Sequence, residues 1–377
     1  MKTEIVGILI NSLVPGGAEM QTLLMAKTIK ENTKYKPVVF GLTGGGKLEE
    51  LLNNEQIEYF VLNFNLGKFH KSHFHKIYEF IRIAKIFRKF NVKILFTRTY
   101  YPNIVGNIAG FFALINNRFW FQVNVEWNKR KSLVEKIAIK LTKKFLANSA
   151  DAKQYIVDTY NKKQTSITIV SNIYFERKIE NTQDFWREKL NFKETDIIIS
   201  LMSNFFIVKD HKTAIKVFKL LSQKYDNLKM IFSGYSPEKC NLFELKAMAY
   251  DLGLFNKLIF INSTNDVQGL LSITDICLFT SIKEHTEGSP NIILDYMLSK
   301  KPIVASNIGP IRELFINLNK DFIYEPENEF SLTEKLELLI QNKDLRILVG
   351  KANYEYVFKN HNSEIYKQHI LKIIESL

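Results

Sequence analysis

Two acids flank a turn near residue 290, and their surroundings suit a ligand with a charged middle. Glu287 is followed by Gly288-Ser289-Pro290-Asn291, and Asp295 falls eight residues after Glu287. Gly and Pro here open a helix, so the N–H groups around Ser289–Ile292 can hold a diphosphate. One carboxylate can accept hydrogen bonds from sugar hydroxyls and the other from a ribose diol, an acceptor toward each wing of the ligand. Either acid alone would read as a solvated carboxylate beside an N-cap turn. The whole string from Ser281 to Gly309, through Lys301-Pro302, is harder to dismiss.

A weaker signal lies near the start. A first strand, Ile5–Ile10, runs through Asn11–Pro15 into Gly16-Gly17-Ala18-Glu19, where a helix begins. Paired glycines there let backbone approach a ligand, and the helix start favours phosphate. The spacing is not the GxGxxG of a dinucleotide site, which counts against a dehydrogenase. Gly44-Gly45-Gly46 reads as a flexible loop.

The elements that must position these motifs alternate. Ile5–Ile10, Pro37–Leu42, Tyr59–Leu62, Lys93–Thr97, Phe119–Val125, Lys144–Ala147 and Thr168–Val170 read as strands. Glu19–Lys30, Ser72–Phe90 and Asp151–Thr159 read as helices between them. The rhythm restarts with strands Ile197–Met202, Lys229–Ser233, Leu258–Ile261, Ile276–Thr280 and Pro302–Ala305. Helices near Lys212–Lys224, Glu238–Leu252, Asp266–Leu271, Asn291–Ser299 and Ser331–Gln341 separate these. Ser171–Thr195 reads as a polar linker. The expectation is an α/β protein of two Rossmann-like domains.

The segment from Ser281 to Gly309 resembles the EG-x-P…E signature, an acid-x7-acid pattern, of retaining glycosyltransferases of family 4, which have the GT-B fold. Three further segments agree in order and spacing. Gly16-Gly17-Ala18-Glu19 resembles the family's N-domain glycine loop. Asn204-Phe-Phe-Ile-Val-Lys209-Asp-His-Lys resembles its R-L-x-x-x-K-G segment. Ile231-Phe-Ser-Gly234-Tyr235 resembles its G-x-G strand end, with a helix, Asp266-Val267 and Thr274-Asp275 after it. The resemblance implies two domains facing each other across a central cleft. Residues 1–172 would be the acceptor side, with a C-terminal helix at about 360–377 packing back on it. Residues 173–359 would hold the donor.

It further implies transfer from a UDP- or GDP-sugar with retention at the anomeric carbon. Lys209 would stabilise the leaving diphosphate and Glu287 would orient the donor sugar. Gly16, Gly17, Asn204, Gly288, Ser289, Pro290, Asn291 and Asp295 would complete the donor site. No metal or other cofactor is expected. The departures are specific. Asp295 stands where the family has Glu, and is one methylene shorter. Asn204 stands where Arg is frequent, and Tyr235 replaces the second glycine. The loop before Glu287 is longer than usual, so Glu284 competes with Glu287 for the first acid; Gly288 and Pro290 favour Glu287. On the acceptor side the family often has His at strand ends, whereas Arg98, Asn124 and Glu126 are the candidates here.

Composition narrows the setting. The 377 residues carry a net charge of +13, with +14 in residues 1–175 and −1 in residues 176–377. Hydrophobic residues make up 46%, which excludes a disordered chain. Cys240 and Cys277 lack CxxC partners and read as reduced core thiols in a cytosolic protein. The N-terminus reads as a strand rather than a signal peptide. The longest apolar stretch, Ile104–Val125, is interrupted by Asn and Arg and is too short to span a bilayer.

His70, His73 and His75 lie among Lys68, Lys71 and Lys76 without acidic partners, and read as a basic surface rather than a metal site. Arg82, Lys85, Arg88 and Lys89 continue that surface along a helix that also carries Phe69, Phe74, Ile77, Phe80, Ile81 and Phe87. Such a helix suits an anionic membrane, and its alternative is an apolar stripe packed on the sheet. The expected partners are therefore a nucleotide-sugar, a glycan or lipid-linked acceptor, and the inner face of the cell membrane, with no nucleic acid. The competing readings are a nucleotide-sugar epimerase on the same fold and a non-catalytic module that grips membrane or nucleic acid.

Overall fold

The computed structural model describes residues 3–14, 16–71, 73–124, 132–236, 241–262, 264, 266–284 and 288–377. The chain divides into two compact units, Met1–Asn172 with Ser363–Leu377, and Ile173–Asn362.

In the first unit, runs rich in Ile, Val and Phe form β1 (Ile5–Ser12), β2 (Lys36–Thr43), β3 (Glu58–Val61) and β4 (Val92–Arg98). β5 (Asn117–Gln122), β6 (Lys144–Ala147) and β7 (Ile167–Ile169) complete the set. All pair in parallel, in the order β3-β2-β1-β4-β5-β6-β7. The connections include α1 (Gly17–Asn32), α2 (Leu48–Asn54), α3 (Leu66–Lys71) and α4 (His73–Lys89). After them come α5 (Tyr100–Phe112), α6 (Leu133–Leu141) and α7 (Ala150–Tyr160). Serines start two of these helices, Ser132 accepting from the Glu135 N–H and Ser149 from the Ala152 N–H.

The second unit repeats the plan. β8 (Ile197–Met202), β9 (Leu228–Gly234), β10 (Leu258–Asn262), β11 (Ile276–Phe279), β12 (Ile303–Ser306) and β13 (Ile323–Tyr324) are its strands. They run parallel in the order β10-β9-β8-β11-β12-β13. α8 (Gln183–Leu190), α9 (His211–Lys224), α10 (Leu242–Asp251) and α11 (Val267–Ile273) come first. α12 (Asn291–Leu298), α13 (Gly309–Leu314), α14 (Glu329–Gln341) and α15 (Lys343–Asn360) complete the helices of this unit. The last helix, α16 (Ser363–Glu375), belongs to the first unit and buries Tyr366, Ile370, Ile373 and Ile374.

In each sheet the strand order reverses once, between β1 and β4 and between β8 and β11. Helices there leave for opposite faces, and the strands' carboxyl ends open a crevice where α/β folds place ligands. The glycine turn comes after β1 and Arg98 ends β4. The Asn204–Lys209 segment comes after β8, and the loop to α12 after β11.

The structure corrects one reading of the sequence and adds detail to two others. The segment Ser171–Thr195 is not simply a linker: Thr182 accepts from the Phe185 N–H and starts α8, whose Trp186 is buried in the second core. Its short length and single buried face hide it from a periodicity search. Gly44–Gly46 is a loop, packed tightly at Gly46. A Cβ on Gly46 would sit 2.1 Å from the Leu13 carbonyl oxygen, because the Leu48 N–H donates to that same oxygen at 3.1 Å. The glycine loop thus braces the segment leading to Gly16. Finally, much of the apolar stretch after Ile104 belongs to the buried helix α5.

Candidate functional site

In the second unit β8 ends at Met202, and the chain turns through Ser203 and Asn204 into a 3-10 turn at Ile207–Lys209. Asp210 then takes a left-handed conformation (φ 45°) and caps α9 by accepting from the Thr213 N–H at 3.3 Å. This turn is tied to the end of β11. The Thr280 hydroxyl donates to the Lys209 carbonyl, the Ser281 hydroxyl to the Val208 carbonyl at 3.2 Å, and the Ile282 N–H to the same carbonyl at 3.1 Å. Lys209 is thereby set beside the root of the segment that leads from β11 to α12. Its ammonium lies 5.5 Å from the Phe279 ring centroid, and burial pushes its pKa down to about 8.

Asn204 is exposed at the end of β8. Its side-chain oxygen accepts from the Tyr235 N–H at 3.2 Å, tying the β8 end to the β9 end. Gly234 permits this closeness, since a Cβ there would meet the Ser203 carbonyl oxygen at 1.9 Å. His211 is fully buried between Phe205 and Phe232, with its Nε2 3.2 Å from the Ser203 hydroxyl. Burial and the Lys209 charge push its pKa down to about 3, so it packs as a neutral ring.

Pro290 leads into α12 from an extended conformation, and Gly288 and Pro290 are buried. Asp295 sits one turn into the helix, 2% exposed. Its Oδ2 is 3.5 Å from Nη2 of Arg177, a cation that sequence reasoning missed. Nothing in the spacing could have found it, because Arg177 comes from a separate strand-less segment. Burial pushes the Asp295 carboxyl up to about 6, with Arg177 pulling the other way. Glu284 is exposed; Glu287 lies outside the described residues.

In the first unit Gly16 and Gly17 are exposed, and Gly16 is the extended N-cap of α1. The Glu19 carboxylate turns back to this helix start: an added Cβ on Gly16 would lie 2.6 Å from its Oε2. Burial raises the Glu19 pKa, while its own backbone N–H and Arg98 act the other way. Arg98, an acceptor-side candidate, is 1% exposed and lies 4.4 Å over the Phe121 ring. Its Nε and Nη1 have no hydrogen-bond partner among the described residues, and Tyr366 of α16 stands beside it. The next residue, Thr99, holds φ 71°, a conformation costing a β-branched residue about 1–3 kcal/mol. Asn124 is exposed, and its carbonyl accepts from the Gln122 side chain. Glu126 lies outside the described residues.

Among the described residues no group of three or more His, Cys, Asp or Glu side chains could hold a metal ion. His75, however, has the acidic partner that the sequence did not suggest: its Nε2 is 3.6 Å from the buried Glu79, which also takes Arg82 at 2.6 Å. Helical spacing of three and four residues brings the three together. Cys277 is a buried free thiol, pushed up in pKa by burial, and Cys240 lies outside the described residues. No helix among the described residues is long and apolar enough to cross a membrane.

Residues 182–356 match the family model described as glycosyl transferases group 1. An uncharacterised glycosyltransferase of Haemophilus influenzae is 32% identical over 162 residues, which are 42% of this chain and 43% of that protein. This match thus spans under half of that relative's length. The capsular polysaccharide biosynthesis glycosyltransferase CapM of Staphylococcus aureus is 22% identical over 307 residues, 78% of this chain and 79% of that one. Anabaena HepE, solved in complex with UDP and glucose, superimposes with a TM-score of 0.83 at 18% identity, over 99% of this chain and 100% of the other. The two parallel sheets with their helices are the GT-B fold of such structures.

Proposed function

Because residues 182–356 match the group 1 glycosyltransferase model, we propose that the protein moves a sugar from a nucleoside diphosphate sugar to a glycan or lipid-linked acceptor. The anomeric bond to the diphosphate breaks and a bond to an acceptor oxygen forms, with retained configuration. The observation that carries this reading is the tie from Thr280 and Ser281 to the Val208 and Lys209 carbonyls. It places a desolvated cation at the root of the loop leading to Glu287 and to the helix start at Asn291. Charge grows on the leaving diphosphate in the transition state, and a preorganised cation stabilises it most. Lys209 and the Ser289–Asn291 turn serve that charge, Glu287 orients the sugar, and Asp295 meets the ribose. Arg98, Asn124 and Glu126 are assigned to the acceptor side. The chemistry asks for no metal, because these groups already supply positive charge.

The relatives' names support a role in surface polysaccharide synthesis, and UDP bound to HepE supports a UDP-sugar donor. A panel of UDP-, GDP- and ADP-sugars read by thermal shift tests the donor. At 100 times its Kd the correct donor should add about 2.7 kcal/mol to stability. A melting temperature indifferent to every nucleotide-sugar would overturn the reading. Release of nucleoside diphosphate that depends on an added glycan or lipid acceptor would separate transfer from epimerisation.

We assign this enzyme to the inner face of the cell membrane, and α4 supports the placement. One stripe, Phe80, Ile83, Ala84 and Phe87, is buried in the first core. A second stripe, Phe74, Ile77, Tyr78 and Ile81, repeats the spacing on the exposed side, with Phe74 88% exposed. Lys85, Arg88 and Lys89 are exposed on the same helix, whereas Arg82 is spent on Glu79 and the Leu62 carbonyl. Replacing Phe74 and Ile77 together by Ser should weaken co-sedimentation with phosphatidylglycerol vesicles at least about 10-fold, since two apolar side chains lose their burial. Pelleting that is equal on neutral and anionic vesicles would remove this placement.

A further inference from the structure

Arg177 belongs to the irregular segment between Ile173 and α8, and reaches α12 from outside its neighbouring elements. The pair it makes with Asp295 is unsaturated. The Nη2 to Oδ2 distance of 3.5 Å is longer than a good N–H···O bond. Asp295 Oδ1 and Arg177 Nε are both buried with no hydrogen-bond partner among the described residues. A buried carboxylate oxygen left open in this way costs free energy unless a ligand or water serves it. The guanidinium is itself held, 5.7 Å from the ring centroid of the buried Phe175. Asp295 therefore faces a fixed cation on one oxygen and keeps the other oxygen unused.

We propose that Arg177 is a positioning residue, which engages one oxygen of Asp295 so that the other meets the ribose diol of a nucleoside diphosphate. The inference rests on the donor-site reading above. Its physical basis is the shortness of aspartate. A carboxylate one methylene nearer its helix has less freedom to find the ribose, so a clamped cation decides its orientation. Arg suits this task better than Lys because its planar fork presents donors in a fixed geometry. A hydrogen bond from a ribose hydroxyl to Oδ1 would also satisfy that unpaired acceptor.

The test compares UDP, GDP and ADP with their 2′,3′-dideoxy counterparts by calorimetric titration of the full chain. The wild-type protein should prefer the ribose form of its nucleotide by at least about 10-fold, the size of one charge-assisted hydrogen bond. In Arg177→Gln the ribose form should weaken by about 10-fold while the dideoxy form changes by less than about 2-fold, so the preference collapses. Arg177→Lys, which keeps the charge without the fork, should retain an intermediate preference, and it carries the test if the Gln variant does not fold. An Arg177→Gln protein that keeps the full ribose preference would overturn the role of Arg177 and leave the donor site standing. Equal losses for ribose and dideoxy forms would mark Arg177 as merely structural and overturn it too. A wild-type protein that binds none of UDP, GDP and ADP would overturn the donor-site reading and this inference with it.

Discussion

Lys209→Ala and, separately, Glu287→Ala are each expected to lower transfer or donor hydrolysis at least about 100-fold, the order of losing one preorganised electrostatic contact with a developing charge. For Lys209 the expectation rests on where the ammonium stands. It is packed beside Phe279, and its backbone is fastened to the end of β11. Partial exclusion of water strengthens its field on a leaving phosphate, because the effective dielectric falls. The same desolvation lowers its pKa to about 8, so the cation is present below that pH and lost as pH rises through it. Initial rates should therefore fall on the alkaline side of about pH 8. In Lys209→Arg, whose guanidinium stays charged, this alkaline limb should vanish even if the rate is lower. Nucleoside diphosphate release measured across pH checks both statements. Near-wild-type turnover in both alanine variants would sink the assignment of the two residues.

Asp266→Ala should cost about 3–5 kcal/mol of stability in the second unit, the scale for breaking a buried, multiply bonded charged group. Asp266 is 1% exposed and accepts five hydrogen bonds. Its Oδ1 takes the Glu180 N–H at 3.0 Å and the Gly269 N–H at 2.9 Å. Its Oδ2 takes the Asn181 N–H at 3.0 Å, the Asn181 amide at 2.9 Å and the Trp186 indole at 2.8 Å. One carboxylate thus caps α11 and fastens the segment that enters α8. Truncation would leave these donors without their acceptor, the buried indole among them. Burial alone would raise the carboxyl pKa, but the donors outweigh it and hold the pKa below the usual aspartate value. A depressed folded pKa gives stability that is present above the unfolded pKa and lost as pH falls through the folded one. The difference between wild type and Asp266→Ala, measured by denaturant melts, should therefore be full at pH 7 and shrink in acid below about pH 4. A variant as stable as wild type at pH 7 would show that the indole and backbone donors find other acceptors.

The parallel strands are legible because each is a short β-branched or aromatic run bounded by polar residues, as in Ile5–Ser12 and Ile197–Met202. The expected strand Phe119–Val125 lies too late in the chain, since β5 runs over Asn117–Gln122, where Asn117 and Arg118 are polar yet paired in the sheet. The two-residue β13 has no pattern to read. α8 escapes because a short helix with one buried Trp shows no clear period, although it has a Thr182 cap and ends on a left-handed Asn191. Gly16-Gly17, Lys209, and the run from Gly288 to Asp295 stand out because backbone permissiveness, charge and helix starts leave marks in local sequence.

Partnership across the fold leaves no such mark. Sequence alone established two α/β units, an excess of positive charge confined to the first 175 residues, and the local strings suited to a diphosphate flanked by hydroxyls. These are short-range properties: the period of apolar residues, the geometry of Gly and Pro, and the sign of charge. Only the tertiary structure decided that Arg82 is spent on Glu79 while Phe74 and Ile77 stay exposed. It also decided that Arg98 is buried against Phe121 and that Asp295 answers to Arg177 across 118 residues of chain. Ion pairing and burial depend on distances between remote segments. Those distances exist only after each sheet has closed on its helices, because side-chain charge acts through space and not along the chain.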